Sequence, residues 1–372
     1  MRKLFLKSLR VLIVALGLAV IAEQRGWAQP APPVPFSKEG MLRDIARHVF
    51  GADWQEAASR LCDLTNTVSK LAATPGQDSL DDVRKAWLSA ADVTDRLRCF
   101  QTGPIVDRDY ASAFYYWQVL PARIEATLAS NRPIDQALLD ELGCTCKGLF
   151  AVEYLVFDRK GQPENAAEKP PTALQFLSGP DSQRRTAFLL AVARDLESKA
   201  SQLANDWSVT GDTGPPAKFI KGGQDSVNLL VNQLARAIEE AAERRLNFVL
   251  MLPSPIAGQL NRIERSRSAS SLQGLLACLE GTKRLYCGND DLGLDDALKR
   301  LNAPLEKRVR EKFDEAIATT AAIAEPLEQA AVNNRPALQR AYEQVHALEI
   351  LIKVDLASAL GVTLTFSSND GD

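Results

Sequence analysis

The sequence predicts an all-α protein built from two tandem antiparallel helical bundles. Apolar residues recur at spacings of three and four through most of the 372 residues, and strand-like alternation is nearly absent. A Gly/Pro-rich stretch near the middle divides the chain, whose length is about twice that of a typical domain. With 46% hydrophobic and 24% charged residues, the chain can fill a core, which excludes a disordered protein.

The first predicted bundle covers residues 38–207. Its helical patterns comprise a first segment that ends before Pro75, then about 79–99, 110–129, 135–157 and 181–207. Pro121 should split the third of these helices, because proline lacks the backbone donor that a helix interior needs. Proline, glycine and charged residues between 158 and 180 predict a surface loop.

The second predicted bundle covers residues 224–372. Residues 208–223 contain four glycines and two prolines, which predicts a linker between the bundles. The helical patterns that follow lie at about 224–250, 269–287, 293–331 and 335–360.

The first 28 residues have the composition of a secretory signal peptide. Four basic residues in the first ten precede the apolar run Val11–Ala22, and Gly26 and Ala28 occupy the small-residue positions of a cut before Gln29. The run has 12 residues, fewer than the roughly 20 that span a bilayer. We therefore expect a mature chain that is exported to the periplasm without a membrane span, beginning with a Pro-rich segment at 29–37.

Composition excludes several classes of function. Lys plus Arg number 44 against 47 for Asp plus Glu, so no charge excess indicates a nucleic-acid partner. Only two histidines, His48 and His346, are present, which excludes metal enzymes with three histidine ligands or an HExxH motif. The GxSxG, Walker and GxGxxG motifs of common hydrolases and nucleotide-binding proteins are absent.

Six cysteines in an exported protein predict disulfides. Cys278 and Cys287 straddle Gly281 and form the most plausible local pair. The remaining four allow three pairings, between which the sequence does not choose: Cys62, Cys99, Cys144 and Cys146. Cys144-Thr145-Cys146 also allows a strained redox pair or a metal clip.

The most informative local feature is an apolar helix with one acidic residue. From Leu149 to Phe157 every residue except Glu153 is apolar or aromatic, which predicts a buried helix. Burying an ionised carboxylate without a partner costs free energy, so we expect a cationic side chain near Glu153. The candidate partners are Arg84, Arg96, Arg98 and Arg123. Glu153 is then either part of a structural ion pair that sets helix register, or a carboxylate that faces a ligand in a cleft.

The stretch Gly148-Leu149-Phe150-Ala151-Val152-Glu153 resembles the Gly-x-His-x-x-Glu signature of the imelysin (peptidase M75-like) family, with Phe150 in the histidine position. The resemblance extends over essentially the whole mature chain. Similar stretches are Trp87 through Pro104, Tyr116 through Pro121, Glu264 with Arg267-Ser268 and Ser271-Leu272, and Asp355 through Val362 with the ending Asn369-Asp370-Gly371-Asp372.

The resemblance implies a secreted, all-helical, imelysin-like protein with a cleft near the signature and a role in bacterial iron or metal uptake. A periplasmic or outer-membrane uptake component would be its partner, and iron or another divalent cation its ligand. The predicted site residues are Gly148, Phe150, Glu153, Tyr154, Trp87, Trp117, Arg123, Glu264, Arg267 and Ser271. Of these, Glu153 is the only candidate metal ligand.

Phe150 changes what the signature can do. Residues at i and i+3 share a helix face, so a histidine and a glutamate could bind one metal ion there, but a phenylalanine cannot. We therefore predict a non-catalytic binding protein, with a zinc-dependent metallopeptidase or a purely structural or interaction module as alternatives. The basic, hydroxyl-rich residues 262–271 lead into a helix and predict either an anion site or a capped helix with a solvated loop.

Overall fold

The computed structural model describes residues 36–157, 173–179, 182–253 and 262–365, and these residues form helices and no β-strand. The prediction of an all-α fold is confirmed. The predicted signal peptide and residues 29–35 lie outside the described residues. Within the described ranges, no helix is both long enough and apolar enough to cross a membrane.

The first half of the chain is organised around three long helices. Its helices are α1 (Lys38–Asp44), α2 (Ala52–Ala73), α3 (Gln77–Arg96), α4 (Pro104–Asp107), α5 (Ala111–Tyr115), α6 (Pro121–Ala129), α7 (Gln136–Glu141), α8 (Leu149–Val156), α9 (Ala173–Ser178) and α10 (Ser182–Ser208). A π-helical segment, Ile45–Gly51, joins α1 to α2. The helix predicted at 135–157 is two helices, α7 and α8, with a turn between them.

The second half contains α11 (Gly214–Lys221), α12 (Gln224–Glu239), α13 (Phe248–Met251), α14 (Ser271–Cys287), α15 (Leu294–Ala321), α16 (Leu327–Asn333), α17 (Arg335–Ile350) and α18 (Ala357–Ala359). Two further π-helical segments, Glu240–Asn247 and Leu351–Leu356, follow α12 and α17.

Local chemistry explains several helix starts. The Ser37 side chain accepts a hydrogen bond from the Gly40 N–H at 2.9 Å, and Asp135 accepts one from the Leu138 N–H at 3.0 Å. These side chains satisfy donors that the first turn of a helix leaves unpaired. Pro121 begins α6, where its fixed φ suits the first helical position, so the break predicted at this proline is confirmed.

The predicted linker at 208–223 is largely helical and packed. It contains α11, which contacts α10 and α1. Phe219 of α11 is buried beside Phe50, with ring centroids 5.4 Å apart. Residues from Phe36 onward form one compact unit, so the domain bounds 38–207 and 224–372 stay a prediction.

Helices α3 and α14 join the two halves of the chain. Helix α2 packs against α10 and α3, α3 packs against α14, and α14 packs against α15. A Cβ atom at Gly281 of α14 would lie 2.2 Å from the Arg96 carbonyl oxygen of α3. Glycine at 281 therefore permits the close approach of these two helices.

The predicted disulfides do not form. All six cysteines are free, including Cys62, Cys99, Cys144 and Cys146. Cys278 and Cys287 lie on the same helix, α14, nine residues apart. At 1.5 Å per residue this separates them by about 13.5 Å, whereas a disulfide needs Cα atoms less than about 7 Å apart. Burial instead raises the pKa of the Cys278 thiol to about 12, which keeps it protonated and unreactive.

We expect Gly281→Ala to lower the free energy of unfolding by about 1–3 kcal/mol, because the added methyl group collides with the α3 backbone. Urea denaturation followed by circular dichroism measures this change. Gly143→Ala is the control, since a Cβ there meets nothing nearer than 3.9 Å. Equal stability of the two variants would contradict the close α3–α14 contact.

Candidate functional site

The signature helix α8 is buried on all sides. It begins after Gly148, which has φ +89° and whose Cβ would lie 2.5 Å from the Ala113 carbonyl oxygen, so only glycine fits this start. Phe150 is 2% exposed and packs edge-on against Trp87, with ring centroids 6.3 Å apart. The Trp87 Nε1 donates a hydrogen bond to the Leu149 carbonyl oxygen at 2.8 Å. Phe150 is thus an apolar ring buried against Trp87.

Glu153 is 3% exposed and is bound by a serine rather than by an arginine. Its Oε1 accepts hydrogen bonds from the Ser268 N–H at 3.0 Å and from the Ser268 Oγ at 2.7 Å. Among the predicted arginine partners, Arg96 pairs with Glu56, and Arg123 is exposed on α6. The contact therefore fastens α8 to residues 262–270, which we call the 262–270 loop.

Burial raises the pKa of Glu153, and the hydrogen bonds from Ser268 and the charges of Arg267 and Arg265 oppose that rise. The Arg267 guanidinium lies over the ring of Tyr154, 5.2 Å from its centroid. The Tyr154 hydroxyl donates to Glu125 at 2.7 Å. Three predicted site residues, Glu153, Tyr154 and Arg267, therefore meet where the loop contacts α8.

These residues do not fit a bound metal ion. Phe150 has no ligand atom, and the Glu153 Oε1 is bound by Ser268. Among the described residues, no group of three His, Cys, Asp or Glu side chains with ligand atoms within 4.8 Å of one another includes Glu153. Glu153 therefore has none of the converging acids that an oxygen-only cation site requires.

A chain of hydrogen bonds leads from Glu153 into the protein interior. The Ser268 and Ser270 hydroxyl oxygens lie 2.7 Å apart, and the Arg265 Nε donates to the Ser270 Oγ at 2.9 Å. Arg265 is 1% exposed and also donates to Asp95 at 2.9 Å and to Asp92 at 2.7 Å. The 262–270 loop is thereby attached to both α8 and α3.

Arg265 belongs to a buried set of charges that joins α3, the Glu240–Asn247 segment and the 262–270 loop. We call it the arginine–carboxylate cluster; its members are Arg98, Arg245, Arg265, Asp92, Asp95, Glu240 and Glu264. Asp95 accepts from Arg98 at 3.1 Å and from Arg245 at 2.8 Å. Arg245 lies 2.8 Å from Glu264, and Arg98 also pairs with Glu264.

The arginines determine the ionisation of the central carboxylate. Burial disfavours the charged form of Asp95, but Arg245, Arg98 and Arg265 outweigh burial and hold the pKa of Asp95 at about 2. Asp95 is therefore ionised at neutral pH and pairs with all three guanidinium groups.

A small cavity lies beside this cluster and brings together three predicted site residues, Trp117, Glu264 and Ser271. Its volume is about 20 Å³, enough for about one water-sized group. Trp117 and Arg245 line it, and their buried donors, the Trp117 Nε1 and the Arg245 Nε, have no hydrogen-bond acceptor among the described residues. Ser271 is already engaged: its Oγ donates to Glu328 at 2.5 Å and accepts from the Leu327 N–H at 2.8 Å.

The cluster was not predicted as a site, although a signal for it exists in the sequence. Trp87, Ala91, Thr94 and Arg98 follow one another at spacings of four, three and four. This pattern places Arg98 on the buried face of α3 and its continuation, the 3₁₀-helix Leu97–Cys99. Arg123, predicted as a site residue, does not line the cavity. The predicted residues therefore divide between the cavity and the contact of the 262–270 loop with α8, and a ligand site near Glu153 stays a prediction.

We expect Asp95→Asn to lower the free energy of unfolding at pH 7 by about 3–5 kcal/mol, because it leaves buried guanidinium groups without their shared partner. The folded pKa of Asp95, about 2, lies below its ordinary value of 3.8. Its stabilisation is therefore complete above about pH 4 and is lost as the pH falls through about 2.

Urea denaturation at pH 7 and at low pH measures both effects. Glu141→Gln, which removes an exposed ion pair with Arg132, is the control and should cost less than about 1 kcal/mol. If the two variants lost similar amounts of unfolding free energy at pH 7, the ion pairs of Asp95 would not stabilise the fold more than an exposed ion pair does.

We also expect a coupling free energy of about 1.5–3 kcal/mol between Ser268 and Glu153, the range for hydrogen bonds to charged groups. A double-mutant cycle with Ser268→Ala, Glu153→Ala and the double variant measures it by thermal and urea unfolding. If the effects of the two substitutions on the free energy of unfolding were additive, the contact between Glu153 and Ser268 would contribute nothing to stability.

Comparisons with known proteins agree with this architecture. The structure is similar to that of a putative iron-regulated protein A precursor from Parabacteroides distasonis, with a TM-score of 0.72, 16% identity, and coverage of 89% of this chain and 97% of that chain. It is also similar to an imelysin-like protein from Psychrobacter arcticus, with a TM-score of 0.71, 15% identity, and coverage of 90% and 99%. Among curated proteins, no relative matches this chain. The model of the imelysin (peptidase M75) family matches residues 51–353, and the chain therefore belongs to the imelysin family.

Proposed function

We propose that this protein is an exported, non-catalytic binding protein that recognises an anionic group of a ligand or partner at the cavity beside the 262–270 loop. The observation that carries the proposal is that two residues lining this cavity, Trp117 and Arg245, have buried donors, Nε1 and Nε, without an acceptor among the described residues. Buried donors without an acceptor are costly, so an oxygen atom of a ligand would stabilise them.

The charges around the cavity favour an anion. Among the described residues, four arginines and two glutamates line it, and two of the arginines, Arg244 and Arg262, are exposed. The cavity accepts about one oxygen-sized group, so the rest of the ligand would lie outside it, against these two guanidinium groups. Guanidinium groups bind carboxylate and phosphate oxygens through charge-assisted hydrogen bonds.

The absence of a catalytic role is inferred from the signature helix. Phe150 supplies neither a metal ligand nor a general base, and the Glu153 Oε1 is held by Ser268. A zinc-dependent metallopeptidase is the alternative, and it would show chelator-sensitive cleavage of an unfolded protein substrate such as casein.

Export and a role in iron or metal acquisition rest on the predicted signal peptide and on similarity. The Parabacteroides distasonis protein bears the name of an iron-regulated protein precursor. We extend both properties, export and a link to iron, to this chain as part of the proposal. The partner would then be a periplasmic or outer-membrane uptake component.

The test is calorimetric titration of the mature protein with citrate and with ferric citrate, two carboxylate-rich anions of which one carries iron. We expect binding that weakens about tenfold in Arg244→Ala, the equivalent of one charge-assisted hydrogen bond of about 1.4 kcal/mol. Arg132→Ala, which alters an exposed arginine paired with Glu141, should bind like the wild type.

Three outcomes would count against the proposal. If the protein bound neither anion at millimolar concentration, it would be a structural or interaction module in which Glu153 only sets the position of the loop. Equal weakening in Arg244→Ala and Arg132→Ala would indicate non-specific charge attraction. Chelator-sensitive casein cleavage would favour the peptidase.

A further inference from the structure

A His-x-x-Glu pair exists in this chain, but far along the sequence from the signature helix. His346 and Glu349 lie one helical turn apart on α17, and Glu243 faces them from the π-helical segment Glu240–Asn247. The ligand atoms of these three residues all lie within 4.8 Å of one another. They form the one such group of His, Cys, Asp and Glu side chains found in the described part of the chain.

The spacing of these atoms is close to that around a bound metal ion. Ligands held about 2.1 Å from a tetrahedral metal ion lie about 3.4 Å from one another. The His346 Nδ1 lies 3.2 Å from the Glu349 Oε2 and 3.7 Å from the Glu243 Oε1. A metal ion could therefore bind between the imidazole nitrogen and the two carboxylate oxygens if these two distances changed by a few tenths of an ångström.

Outer hydrogen bonds hold each carboxylate in place. The Glu243 Oε2 accepts from Asn247 at 2.7 Å, and the Glu349 Oε1 lies 2.8 Å from the Lys353 Nζ. In each carboxylate the other oxygen is the one closest to the imidazole. The His346 ring is stacked on Tyr342, whose hydroxyl donates to the Glu243 Oε1 at 3.1 Å. Such outer contacts orient ligands in metal sites.

Charge and exposure also suit a cation. Lys353 pairs with Glu239 at 3.1 Å and with Glu349 at 2.8 Å, and Glu243 lies beside His346. These three glutamates and one lysine carry a net charge of −2 when His346 is neutral. The His346 side chain is 43% exposed and that of Glu349 is 8% exposed. An ion could therefore enter from solvent and keep water ligands on its open side.

We propose that Glu243, His346 and Glu349 bind a divalent first-row transition metal ion such as Zn²⁺, Co²⁺ or Fe²⁺. One imidazole nitrogen and two carboxylate oxygens form a mixed ligand set, which these borderline ions accept, whereas Ca²⁺ and Mg²⁺ prefer oxygen ligands alone. This site shares no residue with the cavity or with the signature helix, so it stands independently of the function proposed above.

The experiment uses the mature chain without a histidine tag, stripped with a chelator and titrated with Co²⁺ by visible absorption and with Zn²⁺ by calorimetry. We expect one ion per chain, and at least an approximately tenfold loss of affinity in both His346→Ala and Glu243→Gln, because each removes one of three protein ligands. Circular dichroism should show that both variants, altered at partly exposed side chains, remain folded.

Two control variants distinguish this site from metal binding at the other histidine or at the signature helix. His48→Ala removes the other histidine, which pairs with Asp291 at 2.5 Å, and should bind both ions like the wild type. Glu153→Gln should also leave metal binding unchanged, because the signature carboxylate is not a ligand.

The proposal fails if neither ion binds below millimolar concentration, which would leave His346 in an ordinary ion pair with its glutamates. It also fails if His346→Ala binds like the wild type, or if His48→Ala loses as much affinity. Metal binding lost only in Glu153→Gln would instead place the ion at the signature helix.

Discussion

The arrangement of this protein depends on the buried pairing of Asp95 with Arg98, Arg245 and Arg265. Removing these charges from water is costly, and the cost is offset only when every charge has a partner at close range. The partners come from α3 and its continuation, the Glu240–Asn247 segment and the 262–270 loop. The charges are therefore matched only when the two halves of the chain are correctly positioned against each other.

Such a cluster contributes little net stability compared with apolar side chains of the same shape, but the loss of one member is costly. Its effect is thus to favour one relative position of the elements that supply it. Gly281 has a complementary role, because it lets α14 approach the Arg96 backbone of α3 closely. The charge pairing holds the Glu240–Asn247 segment and the 262–270 loop against α3, and the close helix contact holds α14 against α3.

The cluster also positions the candidate binding residues. Arg265 and Ser270 hold the 262–270 loop, which places Ser268 against the Glu153 carboxylate. Trp117 and Arg245, the two residues with unpaired buried donors that line the cavity, include one member of the cluster, Arg245. Glu153 accepts hydrogen bonds from Ser268 and so holds the 262–270 loop against α8. The His-x-x-Glu pair with an accessible nitrogen is His346 and Glu349, on α17.

The sequence by itself determined the all-α class, the break at Pro121 and the burial of the helix around Glu153, because each follows from periodicity, proline chemistry or local composition. It did not determine the partner of Glu153, the packing of residues 208–223 or the state of the cysteines. Ser268 is 115 positions from Glu153, and Cys278 and Cys287 are held apart by the helix they share. Only the tertiary structure decides such contacts, because burial and distance arise when segments remote in sequence pack together.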